Sequence, residues 1–279
     1  MTISVQTNAS ALLALQNLNK TNDDLSQTQN RISTGLAISN AKDNASVWAI
    51  AQGQRADVAS LTAVKSSLDR ATSITDVAMT AGESISDLLN QIKAKVVAAQ
   101  EPSLDTASRA AINTDFQSLL KQISDAVNNA EFDGANILNG SVSGGSIRFL
   151  ANADANSFIT LDAKNMSLGG SIITIPATAT INAMTAAATV LTQIATSIAN
   201  TNSALGEIGA QAKQIDAHNT FISKLSDVLQ TGIGNLVDAD MATESAKLQA
   251  LQVQQQLGVQ ALSIANSAPQ IILSLFRSG

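Results

Sequence analysis

The 279-residue chain has no cysteine and no tyrosine, one histidine (His218), one tryptophan (Trp48) and three prolines. Without cysteine there is neither a disulfide scaffold nor a thiolate metal site. One histidine removes most histidine-based catalysis and nearly every zinc site, because each needs several partners. The scarcity of proline leaves long stretches free to be helical. Charge is sparse too, at 14% of residues against about 25% in an average soluble protein. The 16 basic residues never form a run, and the net charge is −6. A nucleic-acid partner, which wants a clustered basic face, is not expected.

What the chain does have is aliphatic side chains: hydrophobic residues reach 45%, with a mean hydropathy of +0.13. That suffices for a sizeable core and excludes a disordered tail. The first twenty residues carry no basic residue before Lys20, so they do not read as a cleavable secretory signal. Leu248 to Phe276 lacks any charge and is long enough to cross a bilayer. Six glutamines between Gln249 and Gln260 would be costly in lipid, so the segment reads as a helix buried against protein. No membrane partner is expected.

The two ends are alike. Ala11, Leu18, Leu25 and Ile32 recur every seven residues, with Leu15 and Leu36 on the neighbouring row. Leu257, Ala261, Ile264, Ala268, Ile271 and Leu275 step by four and three. Each is a narrow apolar seam of coiled-coil type. Neither seam can be buried alone, and pairing the two ends also invites further copies.

Between them lie three helical patterns, at about 43–100, 104–130 and 181–232, separated by Glu101-Pro102, Asp133-Gly134 and Pro176. The stretch from about 136 to 176 changes character, with turn dipeptides at Asn139-Gly140 and Gly144-Gly145. Within it SIRFLA (146–151), SFITL (157–161) and SIITI (171–175) read as short strands. The expected fold is mainly α, a long helical hairpin or coiled-coil rod with a small β-hairpin region mid-chain.

No metalloprotease, phosphate-loop or nucleophile-elbow motif occurs. Asp23-Asp24 and Asp238-Ala-Asp240 are paired carboxylates that read as helix caps or as partners for Arg31 and Lys247. Lys42-Asp43 reads as a hinge with a cap at the start of a long helix. No catalytic residue, cofactor site or metal site is assigned, and the chain is not expected to be an enzyme.

Several segments then carry a resemblance. Arg31-Ile-Ser-Thr-Gly35-Leu with Asn40-Ala-Lys-Asp-Asn-Ala45, and Glu131-Phe-Asp-Gly134-Ala-Asn-Ile-Leu138, resemble the N-terminal half of bacterial flagellins. Asp238-Ala-Asp240-Met-Ala-Thr-Glu244, Gln254-Gln-Gln-Leu, Ala265-Asn266-Ser-Ala-Pro269-Gln and Leu273-Ser-Leu-Phe-Arg277 resemble their C-terminal end. The likeness covers roughly 1–140 and 181–279. Ala37 stands where the family usually has arginine, and Val47-Trp48 where small or aliphatic residues are usual. About forty residues separate the helical arms, so the chain resembles a short, core-only flagellin.

The resemblance implies a subunit that self-assembles into the flagellar filament, the extracellular propeller for swimming, after export unfolded through the flagellar type III channel and addition at the distal tip. The alternative is the hook–filament junction protein. The ends (1–42 and 236–279) would form a discontinuous inner domain polymerising through Leu15, Leu18, Leu25, Ile32, Leu257, Ile264, Ile271 and Leu275. Residues 43–235 would form the outer, rod-like domain, with Lys42, Asp43 and Trp48 at the hinge. Implied partners are further copies, sibling flagellins, an export chaperone, the filament cap and the hook-junction proteins. Ser141, Ser143, Ser146, Ser171 and Thr174 are candidates for O-linked sugars, as in some flagellins. Lys93, Val97 and Asp115 stand where the family's immune-receptor face usually has Arg, Leu and Glu.

Overall fold

Most helix starts along this chain are set by short side chains that accept backbone N–H groups the helix itself leaves unpaired. The computed structural model describes residues 8–277, with side chains up to Ser267. Helix α1 (Ala9–Thr34) begins where Asn8 Oδ1 accepts the N–H of Ala11. It ends at Gly35, whose φ of 71° suits a residue without Cβ and lets its N–H return to the Arg31 carbonyl. Asp105 caps α3 (Thr106–Asn129), accepting from Ser108 N–H at 2.7 Å. Asp240 caps α5 (Met241–Arg277), accepting from the N–H groups of Ala242 and Thr243. The long helices α2 (Ala45–Ala99) and α4 (Met184–Val237) complete the helical set, the latter running five residues past its expected end.

One expected cap is displaced. Asn44, not the Lys42–Asp43 pair, caps α2, accepting the N–H of Val47 at 3.2 Å. Asp43 points back into the preceding turn, where it accepts from the N–H groups of Ser39 and Asn40 and from the Ser39 hydroxyl. A cap must sit at the residue that enters the helix, and Asp43 is one position too early.

The chain divides into two compact units: Met1–Ala56 with Val228–Gly279, and Asp57–Asp227. In the second unit, Leu61, Leu68, Ile74, Ile85, Ile92 and Val96 of α2 are buried, as are Phe116, Leu120 and Ile123 of α3 and Ile194, Ile208 and Ile215 of α4. Helices α2 and α4 run antiparallel here, with Thr72 hydrogen-bonded to Asp216, Ser86 to Asn202 and Asp69 to Asn219. A methyl group on Gly82 would stand 2.4 Å from Leu205 Cδ2, so glycine permits the close approach of these helices. Lys95 ties α2 to α3 through Asp115.

Strands β1 (Ser146–Leu150) and β2 (Phe158–Asp162) form one antiparallel hairpin, with Arg148 opposite Thr160 and Leu150 opposite Phe158. Phe149, Ile159 and Leu161 face inward and are buried, while Arg148, Phe158 and Thr160 face outward. The hairpin is held by α2 and α4: Leu150 N–H donates to Ser67 Oγ, and Asp162 is bonded by Gln211. His218 Nε2 lies 2.7 Å from the Ala151 carbonyl, so the one histidine is a packing residue that fixes the hairpin's end.

The third expected strand, 171–175, does not form. In place of a ladder, side chains of α4 bond part of its backbone, and the Ile175 carbonyl accepts from the Gly169 N–H. Thr174 N–H donates to Ser197 Oγ, and Asn200 Nδ2 donates to the carbonyls of Ser171 and Ile172. Ile173 and Ile175 are fully buried, so the alternating pattern was a burial signal without a partner strand.

A candidate assembly surface on the terminal helices

In the first unit, α1 and α5 pack side by side and antiparallel. Asn8 Nδ2 donates to the Ala265 carbonyl at 2.7 Å, Gln255 Nε2 to Asn22 Oδ1 at 2.7 Å, and Arg31 Nη1 to Glu244 Oε1 at 2.9 Å. Gly258 faces Leu18: an added Cβ would meet Leu18 Cδ1 at 3.1 Å. The base of the pair is closed where Ala37 and Ile38 N–H groups donate to the Val237 carbonyl and Ala239 N–H to the Gly35 carbonyl.

These contacts fix which rows face inward. On α1, Ala11, Ala14, Leu18, Thr21, Leu25, Thr28 and Ile32 are less exposed, with Asn22, Asp24 and Arg31 flanking them; on α5, Glu244, Leu248, Leu251, Gln255, Gly258, Leu262 and Ala265 are. Both sets repeat with steps of three and four, the spacing of a two-helix seam. Leu18, Leu25 and Ile32 therefore pair within the molecule.

The other half of the expected seam does not. Leu15 is 42% exposed, Leu257 58% and Ile264 70%, and they stand on faces turned away from the intramolecular seam. Large aliphatic side chains thus stand on both sides of each helix, and Ala11, Ala14 and Gly258 let the helices approach on the inner one. Leu12, Leu13, Val253 and Val259 join the exposed set. Ile271 and Leu275 lie outside the described side chains.

Apolar surface of this kind, on helices that carry few charges, is what protein interaction sites are commonly made of. Burying one Leu or Ile side chain stabilises by about 1.5–3 kcal/mol, whereas association costs about 4–15 kcal/mol. A single leucine cannot hold a neighbour. Holding one takes several such side chains, and α1 and α5 expose seven.

Electrostatics around this surface are structural. Arg31 pairs with Glu244, not with the Asp23–Asp24 pair expected for it, because the antiparallel register brings α5 to Arg31. Hydrogen bonds from the Thr243 hydroxyl and then the Thr243 and Ala242 N–H groups hold the Asp240 carboxyl below its ordinary value. The Ser39 N–H, more than any other group, does the same for Asp43, and the Ser108 hydroxyl for Asp105. Among the described residues, no three His, Cys, Asp or Glu side chains gather as a metal site, and no helix is long and apolar enough to cross a membrane.

The remaining sequence candidates fall elsewhere. Lys42 and Asp43 are exposed and Trp48 is half-buried in the first turn of α2. Lys93 and Val97 are exposed one turn apart on α2, and Asp115, on α3, is bonded by Lys95 at 2.6 Å. Ser141, Ser143 and Ser171 are exposed, Ser146 is half-buried at the start of β1, and the Thr174 hydroxyl donates to the Gln193 carbonyl.

Residues 5–143 match the bacterial flagellin N-terminal helical region, and residues 191–276 match the bacterial flagellin C-terminal helical region. The chain belongs to the bacterial flagellin family. This flagellin is 54% identical to flagellin FljJ of Caulobacter vibrioides, with all of both chains covered. It is 50% identical to flagellin FljK of the same organism over 98% of each chain. A flagellin of Brucella melitensis is 43% identical over 98% of this chain and 99% of that one. A solved structure of a protein described as flagellar hook-associated, from Vibrio parahaemolyticus, shares the fold (TM-score 0.56, 14% identity, 70% of this chain and all of that one). This flagellin is a structural subunit of the flagellar filament, the propeller of swimming motility, and nothing in these matches favours the hook–filament junction alternative.

Proposed function

We propose that this flagellin polymerises through the outward faces of α1 and α5. The supporting observation is the exposure of Leu12, Leu13, Leu15, Val253, Leu257, Val259 and Ile264 on helices whose inner rows are already satisfied by each other. Neighbouring copies cover these faces, and the stability they supply is the reason a marginal helix pair persists in the filament. The terminal segments pass unfolded through the export channel, and they become helical on addition at the distal tip of the extracellular filament. An export chaperone would hold the same apolar faces before export, and the filament cap and hook-junction proteins would meet them at the two ends of the polymer.

The lack of cysteine suits a chain threaded unfolded into an oxidising exterior. The chain works as a filament component without catalysis of its own. Several Caulobacter vibrioides flagellins, FljJ, FljK and FljM among them, are each 49–54% identical to this chain. That likeness supports filaments in which sibling flagellins share one lattice. The ends act as the inner domain and 43–235 as the outer one, with the segment from Lys42 to Trp48 as the hinge between them.

Two surface readings accompany this. Ser141, Ser143 and Ser171 are the better placed candidates for O-linked sugar; Ser146 and Thr174 are partly covered. The intact mass of native filament protein, against 28.7 kDa, decides occupancy. Lys93 in place of arginine loses a bidentate fork, and Val97 offers less apolar area than leucine. Weak activation in an immune-receptor reporter assay is expected, and strong signalling at low dose contradicts it.

The principal experiment is seeded assembly of the full chain, viewed by electron microscopy, beside a chain trimmed of α1 and α5. Long filaments from the full chain alone are expected. Filaments from the trimmed chain, or none from either, would overturn the reading.

A further inference from the structure

We propose that the outer face of the β-hairpin docks into the groove between α2 and α3 of a second copy. This rests on self-assembly of the chain and names one of its contacts.

The groove lies in the second unit. Asp76, Val77, Thr80, Ala81 and Ser84 of α2 face Ala126 and Asn129 of α3 and the Ala130 that follows it, around an open space of about 420 Å³. Alanines on both walls make it wide and mainly apolar. Asp76 is the only charge in its lining, and among the described residues its carboxylate joins no ion pair.

The hairpin carries the opposite character. The Arg148 guanidinium sits 4.0 Å from the centre of the Phe158 ring, and Phe158 is 39% exposed. Stacking on an aromatic face holds a cation in place and leaves the guanidinium edge free to donate. Among the described residues Arg148 forms no ion pair, and Thr160 beside it is exposed. The same hairpin's inner face is fixed by buried Phe149, Ile159 and Leu161, and by the bonds to Ser67 and Gln211. A rigid, cation-tipped aromatic knob and a wide apolar groove with one carboxylate are complementary in shape and charge.

The occupant is a second copy because knob and groove are different surfaces of the same unit, each left unsatisfied by its own chain. The hairpin is anchored at Ser67 of α2, and the groove begins at Asp76, further along that helix. A contact of one surface with a different one on the next molecule is heterologous, and a heterologous contact that does not close makes an open helical polymer. An isolated surface ion pair contributes little. Desolvated under an aromatic ring, one such pair fixes register and rejects wrong partners.

The test is seeded elongation of the full chain, with the critical concentration as readout. Asp76→Arg and Arg148→Asp should each raise it about tenfold or more, and the double swap should recover most of the loss. Monomer helicity checks that each variant folds. A second measurement leaves the pair intact: because the chain has no cysteine, Thr80→Cys and Thr160→Cys copies can be co-assembled and treated with a short bismaleimide. Covalent dimers should form in the mixed filament and not in filaments of either variant alone. Normal assembly of both single swaps, which would leave the groove to some other partner, overturns the proposal. So does an absence of recovery in the double swap, or equal cross-linking in unmixed filaments. Failure of the unsubstituted chain to elongate would instead count against self-assembly itself.

Discussion

Arg31 Nη1 donates to Glu244 Oε1 at 2.9 Å, joining α1 to α5 near the base of their pair. The Glu244 side chain is only 10% exposed, and its second oxygen and the Arg31 Nε find no further partner. Removing one member of such a pair strands the other. Arg31→Ala should destabilise the terminal helix pair by about 2–4 kcal/mol, with Glu244→Gln milder because it leaves no buried charge. Calorimetric melting of filaments checks this; equal melting temperatures for Arg31→Ala and the unsubstituted chain would contradict it.

Inner and outer rows of α5 should respond differently. Leu251 is 7% exposed, and Leu251→Ala should cost about 2–4 kcal/mol of stability through lost contact and a residual cavity. Leu257→Ser and Ile264→Ser alter side chains that are mostly exposed in the single chain. They should leave monomer helicity unchanged while raising the critical concentration for assembly several-fold. Calorimetric melting of assembled filaments reads the inner row, and sedimentation of polymer beside circular dichroism of monomer reads the outer one.

Acid should loosen the start of α5. Hydrogen bonding by Thr243 holds the Asp240 carboxyl below its ordinary value of 3.8. A group depressed on folding stabilises fully above its unfolded value, and that contribution is lost as pH falls through the folded one. Filament melting temperature should therefore hold above about pH 5 and drop as the pH falls from there to below the ordinary carboxylate value, with Asp43 and Asp105 acting in the same sense. Asp240→Asn keeps a capping side chain without the charge, so its melting temperature should fall less over that interval. An identical fall would assign the acid response to other groups.

The half-buried Trp48 gives an optical test of the proposed hinge. Being the single tryptophan, it reports one environment. Its emission should shift to the blue on polymerisation, and an unchanged spectrum would mean that the start of α2 gains no cover from neighbours.

Local structure was legible in the residues themselves. Periodicity placed all five helices and the hairpin, because a helix or strand with one buried face must repeat at 3.6 or 2 residues. Asp240 reads as a cap from its position before Met-Ala-Thr-Glu244. The choice between rows was not legible. Leu257 and Ile264 repeat as regularly as Leu248, Leu251 and Leu262, and on an uncharged helix both stripes look like seams. A signal did exist in the small and charged residues: Ala11, Ala14 and Gly258 permit close approach, and Arg31 and Glu244 require each other.

The 171–175 segment failed for the same reason. Alternating burial requires something to cover it, and whether that is a strand or α4 depends on where Ser197 and Asn200 lie. The sequence by itself determined which stretches become helices and roughly where each lies, what each can bury, and membership in a polymer-forming family. Only the tertiary structure decided which apolar rows the chain uses on itself and which it leaves for others. That partition follows from the antiparallel register of α1 and α5, a long-range relation that no local pattern encodes.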